Sequence, residues 1–152
     1  RKARNEALND ADFGGVDSET QLFRAGLRAP AELATWTRRG ASFEGLVIEQ
    51  LCAWAAERFV RPGIFYWRTQ AGAEVDLLIV DGRRILPFEI KLGAAIDPRS
   101  IKGLRQCMAD LNLKRGFAVT TGAERRDAGR GIEILPWNEI TGGSFDQGQA
   151  PY

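Results

Sequence analysis

The chain has 152 residues, a net charge of +1 and no histidine. Its length allows one domain with a hydrophobic core, and its apolar fraction of 44% is typical of an ordinary globular protein. Without histidine, the chain acting alone has no zinc-bound water on histidine ligands, no Ser-His-Asp triad and no histidine general base, so any catalysis would depend on carboxylates, lysine and metal.

Residues 1–40 are predicted to form a leader followed by two short packing helices. The first part, residues 1–15, is polar and shows no sustained periodicity, which indicates a loosely ordered leader. A capping-box pattern then predicts a helix over 18–27, and a proline suited to a first turn predicts a second helix over 30–36.

A stronger helical pattern follows from about Ser42 to Val60. One apolar stripe runs along this helix: Val47, Ile48, Leu51, Ala55 and Phe59. Glu44 lies at the head of the stripe, so we expect its side chain to face the sheet rather than water. The alternative is a first-turn acid that is favoured by the helix macrodipole alone.

Three consecutive strands are predicted next, over 64–69, 74–80 and 84–91, because these runs are rich in branched and aromatic residues and end at turn signals. Together they predict a meander. A helix is predicted over 97–113, with an Asp-Pro pair as its N-cap and first-turn proline.

The C-terminal part predicts two more strands, over 117–121 and 132–135, joined by a glycine- and arginine-rich loop over 122–131. Residues 141–152 are predicted to be a disordered tail. No glycine-rich phosphate loop with a following lysine occurs, so we do not expect this chain alone to be an ATPase.

Two charges interrupt the third strand of the meander, where burying a charge is costly. Glu89 and Lys91 lie on one face of this strand because side chains alternate, and Asp76 heads the preceding strand. A two-residue hairpin loop would place Asp76 opposite Pro87, whereas a four-residue loop would place it opposite Glu89, with Cβ atoms about 5 Å apart. Both registers predict that Asp76 shares the face of Glu89 and Lys91. The alternative for Glu89 and Lys91 is an edge-strand ion pair exposed to water.

The three carboxylates of Glu44, Asp76 and Glu89 would repel one another unless a cation lies among them. All are hard oxygen donors, which favours magnesium, with manganese as a substitute. Such an ion acidifies a bound water, and Lys91 can stabilise the charge that builds on phosphoryl oxygens. The pattern therefore predicts a metal-dependent phosphodiesterase.

Several polar residues could contact the phosphates of a nucleic acid: Arg68, Lys102, Arg105 and Gln106. For Arg68 the alternative is a strand-end residue that lies over a neighbouring aromatic ring. The net charge predicts no strong nonspecific attraction to polyanions, although local basic pairs could act. These pairs are Arg38-Arg39, Lys114-Arg115 and Arg125-Arg126.

Location and chain boundaries are predicted from three features. No apolar run approaches the roughly 20 residues that cross a bilayer, so no membrane partner is expected. Cys52 and Cys107 form neither a disulfide framework nor a zinc motif, which favours a reducing cytoplasm. The chain begins without methionine, and we expect it to be part of a longer protein.

The order helix, three-stranded meander, helix, strand, with these charged residues, resembles the PD-(D/E)XK nuclease superfamily over about residues 40 to 136. More narrowly, it resembles the nuclease-like domain at the C-terminus of many prokaryotic AAA-type ATPases. The motifs that carry this resemblance are Tyr66-Trp67-Arg68-Thr69, Glu74-Val75-Asp76, Glu89-Ile90-Lys91 and Ile134-Leu135-Pro136. No proline directly precedes Asp76, which is a departure that this divergent superfamily tolerates.

The resemblance implies an α/β fold with a restriction-endonuclease-like core, in which a mixed central sheet is flanked by helices, over residues 41–140. It implies that Asp76, Glu89 and the carbonyl of Ile90 hold the metal. Lys91 would orient or deprotonate the attacking water, and Glu44 would assist at the metal.

The implied activity is divalent-metal-dependent hydrolysis of DNA phosphodiester bonds by an endo- or exonuclease. The alternative is a non-catalytic nuclease-fold module that serves DNA or partner binding. In both cases an AAA-type ATPase region, in the same chain or in another, is an expected partner.

Overall fold

A mixed β-sheet with helices on both faces organises residues 20–24, 43–142 and 145, which are the residues that this computed structural model describes. The strands are β1 (Thr20–Arg24), β2 (Gly63–Thr69), β3 (Glu74–Asp81), β4 (Arg84–Lys91), β5 (Gly116–Thr120), β6 (Arg126–Asp127) and β7 (Ile132–Pro136). The helices are α1 (Phe43–Arg58), α2 (Lys102–Asp110) and α3 (Trp137–Thr141). The α/β class and the helix-flanked mixed sheet are therefore confirmed.

The strand order within the described residues is β1-β2-β3-β4-β5-β7-β6. Strands β1 to β4 pair antiparallel in chain order, which is the predicted meander extended by one strand at its edge. Strands β4, β5 and β7 pair parallel, and α2 lies in the connection from β4 to β5. A parallel pair needs such a crossover because a tight turn cannot return the chain to the same end of the sheet.

Alternating side chains of the strands build a hydrophobic core on each face of the sheet. On one face Ile79 and Phe88 pack with Leu51 of α1. On the other face Leu78 and Ile132 pack with α2. Strands that are apolar on both faces are expected where helices cover both sides of a sheet, and this explains the near-continuous apolar runs of the sequence.

In the β3–β4 hairpin Val80 pairs directly with Ile85. This is the register that was predicted for a four-residue loop. Asp81 pairs with Arg84, and Gly82 adopts a φ of 58° in the turn between them. Glycine suits this position because a side chain disfavours the left-handed conformation.

A β-bulge interrupts the pairing of β3 with β2. Phe65 pairs with Leu78 and Trp67 pairs with Val75, so Tyr66 alone faces two residues of β3, Asp76 and Leu77. Simple alternation ends at this bulge. Val75 and Leu78, three residues apart, consequently contact the same hydrophobic core. The parity argument that put Asp76 on the face of Glu89 and Lys91 therefore does not hold through the bulge.

The helix predicted over 18–27 is wrong, because residues Thr20–Arg24 form strand β1. All five of these residues pair with β2 along the sheet edge, and this ladder of backbone hydrogen bonds outweighs a local capping signal. The leader and the helix predicted over 30–36 lie outside the described residues.

The helix predicted over 97–113 is shorter than expected. It begins at Lys102 rather than near Asp97, whose side chain instead accepts a hydrogen bond from the backbone N–H of Arg99 at 2.8 Å. The backbone carbonyl of Asp97 accepts one from the N–H of Ser100, also in this turn. The Asp-Pro pair thus forms a turn before the helix and not its cap.

The C-terminal region differs from the prediction at two points. The loop predicted over 122–131 contains the two-residue strand β6, which pairs with β7. Phe145, within the predicted tail, is 1% exposed and packs 4.6 Å from the ring of Trp54. Apart from residues 141, 142 and 145, the tail lies outside the described residues.

Candidate metal centre

The candidate site lies where β3 and β4 separate, at the end of the meander. Continued pairing would put Ile90 opposite Val75, but the described ladder ends at Leu77 and Phe88. The backbone N–H of Ile90 donates instead to Oδ2 of Asp76 at 2.7 Å. The bulge thus turns the Asp76 carboxylate toward the backbone of β4 and fixes one of its two oxygens there.

Glu89 is the buried acid of the site, with a side chain that is 6% exposed. Its Oε1 lies 2.5 Å from Nζ of Lys91, as expected for two residues on the same face of β4. Its Oε2 is buried and has no hydrogen-bond partner among the described residues. A buried carboxylate oxygen without a partner is costly, and a cation bound there would satisfy it.

The charges of the site shift one another's titration. The pKa of Glu89 is raised to about 7, because burial and the charge of Asp76 raise it more than Lys91 lowers it. The pKa of Asp76 is raised to about 6, because burial raises it more than the hydrogen bond from Ile90 lowers it. Burial lowers the pKa of Lys91, but the ion pair with Glu89 outweighs this and raises it overall. Burial first and like charge second thus favour the protonated form of both carboxyls, whereas the ion pair keeps the Lys91 ammonium protonated.

Two further acids lie within electrostatic range of this pair. Glu44, in the first turn of α1, raises the pKa of Asp76, so its charge lies within electrostatic range of the site. Glu74, at the start of β3, raises the pKa of both Asp76 and Glu89. Sequence reasoning passed over Glu74 as a site residue. The available signal was its spacing from Asp76, the same as that of Glu89 from Lys91.

Hydrogen bonds hold the segment that follows Lys91. The N–H of Gly93 donates to Oγ1 of Thr121 at 3.1 Å, and the N–H of Thr121 donates to the carbonyl of Gly93 at 3.2 Å. Nη2 of Arg126 donates to the carbonyl of Ala94 at 3.3 Å. The loop after the lysine is therefore attached to the loop after β5 and to β6.

The residues predicted to contact phosphates lie on two elements, β2 and α2. Arg68 is exposed on β2 and lies opposite Glu74 in the ladder. Lys102 and Gln106 are exposed on α2, whereas Arg105 is half-buried and donates from Nη1 to the carbonyl of Pro98 at 3.3 Å. Arg105 thus helps to hold the turn before α2.

The donor chemistry of the site fits a hard divalent cation. Its side-chain donors are carboxylate oxygens, one of which is buried and unpartnered. The described residues contain no group of three or more His, Cys, Asp or Glu already gathered around one ion position. Asp76 and Glu89 are therefore the core of the candidate ligand set, and Glu44 and Glu74 are the neighbours from which a further ligand could come.

None of the helices in the described ranges is long and apolar enough to span a membrane.

Comparison with known proteins places the site within a described family. The family model named "Domain of unknown function (DUF4143)" matches residues 39–140. An uncharacterized protein of Mycobacterium tuberculosis, Rv2008c, and one of Mycobacterium bovis, Mb2031c, are each 37% identical to the chain over 109 residues. The match covers 71% of this chain and 23% of each relative, so the chain spans less than a quarter of the length of the curated relatives it matches.

Proposed function

The chain belongs to the DUF4143 family, and from the geometry of its buried acids we propose that it is a divalent-metal-dependent nuclease that hydrolyses DNA phosphodiester bonds. Magnesium is the proposed ion, and manganese is its substitute, because the donors are carboxylate oxygens. The proposal includes a restriction-endonuclease-like core and action beside an AAA-type ATPase region in the cytoplasm.

The observation that carries this proposal is the unpartnered Oε2 of Glu89. This oxygen is buried beside Asp76, another acid whose pKa is raised by burial. A purely structural ion pair between Glu89 and Lys91 would leave the second carboxylate oxygen buried without a hydrogen bond or an ion. A cation bound at Oε2 would satisfy that oxygen and offset the repulsion between the two acids.

Each residue of the candidate site has a distinct role in this proposal. When bound, the metal supplies a more acidic water and positive charge at the phosphate. Asp76 and Glu89 would hold it, and the Ile90 carbonyl and Glu44 are further candidate ligands. The Lys91 ammonium, kept protonated by its ion pair, stabilises negative charge on the phosphoryl oxygens during attack by water.

The test is cleavage of plasmid DNA with magnesium or manganese, measured for the wild type and for Asp76→Asn and Lys91→Ala. The matched control is Asp81→Asn, which removes a carboxylate at the opposite end of β3. We expect Asp76→Asn and Lys91→Ala each to reduce the cleavage rate about a hundredfold or more, because the first removes a charged metal ligand and the second removes the cation at the reacting phosphate. Asp81→Asn should cleave as the wild type does.

Calorimetric titration with manganese checks the ion site without relying on cleavage. Binding that is lost in Asp76→Asn and in Glu89→Gln, but kept in Asp81→Asn, supports the proposed ligands. Equal cleavage and equal ion binding by all these proteins would remove the proposal.

A non-catalytic module for DNA or partner binding is the second candidate function. The observation that favours it is the absence, within the described residues, of three metal ligands already gathered around one position. In that case Glu89 and Lys91 serve as a structural ion pair. A folded chain that binds DNA but shows no ion binding dependent on Asp76 would support this second function.

A further inference from the structure

Two basic pairs that are separate in the sequence line one cleft. Lys114-Arg115 directly precedes β5, whereas Arg125-Arg126 leads into β6, and β7 lies between these strands in the sheet. The cleft has a volume of about 520 Å³. Its lining consists of Lys114, Arg115, Arg125, Arg126, Asp127, Gly131 and Glu133. The lining thus holds four basic and two acidic residues, an excess of two positive charges.

Glu133 binds the guanidinium groups of Arg115 and Arg125. Its Oε1 accepts a hydrogen bond from Nε of Arg115 at 2.7 Å, and its Oε2 lies 2.5 Å from Nη2 of Arg125. Arg125 also donates to the carbonyl of Phe145 at 3.0 Å and lies 3.5 Å from Glu139. Arg125 is therefore mainly a structural bridge, and its charge is largely compensated.

Lys114 and Arg126 provide the positive charge that remains. Both are exposed, and neither has a carboxylate partner among the described residues. Lys114 donates weakly to Oδ1 of Asn112 at 3.5 Å, and Arg126 donates to the carbonyl of Ala94. Both partners are uncharged, so the two cations can pair with phosphate anions without first breaking an ion pair.

Two connections link the cleft to the candidate metal centre. Ala94, which accepts the hydrogen bond from Arg126, lies three residues after Lys91. Strand β5 begins beside the cleft and ends at Thr120, the partner of Lys91. Five strand residues span about 13 Å, which corresponds to roughly four phosphates along one strand of a DNA duplex. A DNA backbone can therefore contact both places at once.

We propose that this cleft binds the DNA backbone, with Lys114 and Arg126 as its phosphate contacts, and leads one strand toward the metal centre. The spread of the charges along an open cleft fits a row of phosphates better than a single small anion. The choice of DNA as ligand rests on the proposed function, but the contact itself requires no cleavage.

The test is fluorescence anisotropy of a labelled DNA duplex titrated with the 152-residue chain in EDTA, which prevents metal-dependent cleavage. The variants are Lys114→Ala with Arg126→Ala, and the charge-retaining pair Lys114→Arg with Arg126→Lys. The control pair Arg61→Ala with Arg83→Ala removes two exposed charges outside the cleft.

We expect the cleft alanine pair to weaken binding about tenfold and to reduce the salt dependence of log Kd by about two, since roughly one unit is lost per phosphate contact. The charge-retaining pair and the control pair should bind as the wild type does. Their retained binding would also exclude a general folding defect or a nonspecific loss of charge.

Three results would overturn the inference: no DNA binding by the wild type, equal binding by wild type and cleft alanine pair, or equal loss in the control pair. Equal affinity for a polyglutamate peptide would overturn it as well, since an acidic protein segment would then be the ligand. DNA bound through the cleft but never cut removes the proposed nuclease function and leaves this inference intact. If the cleft alanine pair cuts DNA normally and binds it with unchanged affinity, this inference is wrong and the proposed nuclease function stands.

Discussion

Glu89 is the residue on which the proposed function depends most. A carboxylate with a side chain 6% exposed is rare inside a sheet unless it is paired, and here the pairing with Lys91 uses one oxygen of two. The sequence indicated the anomaly, because two charges stand in an apolar strand. The unpartnered oxygen that turns the anomaly into a candidate ligand is visible in the structure alone.

The raised pKa values of these acids predict how stability depends on pH. A carboxyl whose folded pKa lies above its unfolded value of about 4 binds its proton more tightly when folded. Between those two values the folded state holds more protons, so the free energy of unfolding falls as pH rises through that window. For Glu89 and Asp76 the window ends near pH 7 and pH 6, respectively.

Glu89→Gln should remove much of this pH dependence, because the amide is neutral at every pH in the window. We expect the variant to be more stable than the wild type at pH 8 by roughly 1 to 3 kcal/mol, with little difference near pH 5. Urea unfolding at a series of pH values, without divalent ions, measures this difference.

The control for this prediction is Glu57→Gln, an exposed acid on α1 that should change the pH profile little. The free energy of unfolding could instead change equally between pH 5 and pH 8 in the wild type and in Glu89→Gln. That result would contradict the assignment of Glu89 as a buried acid with a raised pKa.

At the scale of elements, strand β3 explains why the candidate site could be located but not oriented from the sequence. Period-two patterning identified the strand, and its hairpin register agrees with one of the two predicted alternatives. The bulge at Asp76 and Leu77 depends on how β2 pairs with β3, which is a contact between segments. Local alternation therefore could not orient Asp76 through the bulge, although it located Asp76 near Glu89 and Lys91.

Helix α2 lies unusually close to the start of β3, and a glycine permits this contact. A Cβ atom placed on Gly103 would lie 2.4 Å from the backbone carbonyl oxygen of Glu74, which cannot move without shifting the strand. Gly103→Ala should therefore destabilise the protein by about 1 to 3 kcal/mol, as overpacking does, despite the higher helix propensity of alanine. Thermal or urea unfolding measures the change.

Gln106→Ala on the exposed side of the same helix is the matched control, and it should be neutral or slightly stabilising. If Gly103→Ala were as stable as the wild type, α2 could not be packed against Glu74 as closely as described.

At the scale of the whole molecule, Phe145 closes the core on the α1 face of the sheet. Its ring lies 4.6 Å from that of Trp54 on α1, 6.0 Å from Phe88 on β4 and 5.7 Å from Phe117 on β5. Its backbone carbonyl accepts the hydrogen bond from Arg125. Phe145 thus joins the helix, the sheet and the wall of the basic cleft.

Phe145→Ala should destabilise the protein by roughly 3 to 5 kcal/mol, because it removes a fully buried aromatic ring and leaves a cavity. Val60→Ala, at a residue 96% exposed, should change the free energy of unfolding by less than about 0.5 kcal/mol. Urea unfolding of both variants measures the contrast. A loss of under about 1 kcal/mol for Phe145→Ala would mean that this residue lies outside the core.

The sequence by itself determined those features that depend on neighbouring residues. Apolar periodicity identified α1 and the strands of the meander, and the charges of Asp76, Glu89 and Lys91 marked the candidate site. These signals are local, since burial on one face of a helix or strand repeats with the period of that element. The same local signals gave a helix where β1 forms, because pairing at a sheet edge leaves little trace in the edge strand itself.

The tertiary structure alone decided how distant segments meet. It determined the bulge that turns Asp76 toward Ile90, the approach of Glu44 and Glu74, and the burial of Phe145. It also brought Lys114-Arg115 and Arg125-Arg126, two basic pairs from separate segments, into one cleft. The physical reason is that these contacts depend on strand order and packing, which are settled by the free energy of the whole chain and not by the pattern of any one segment.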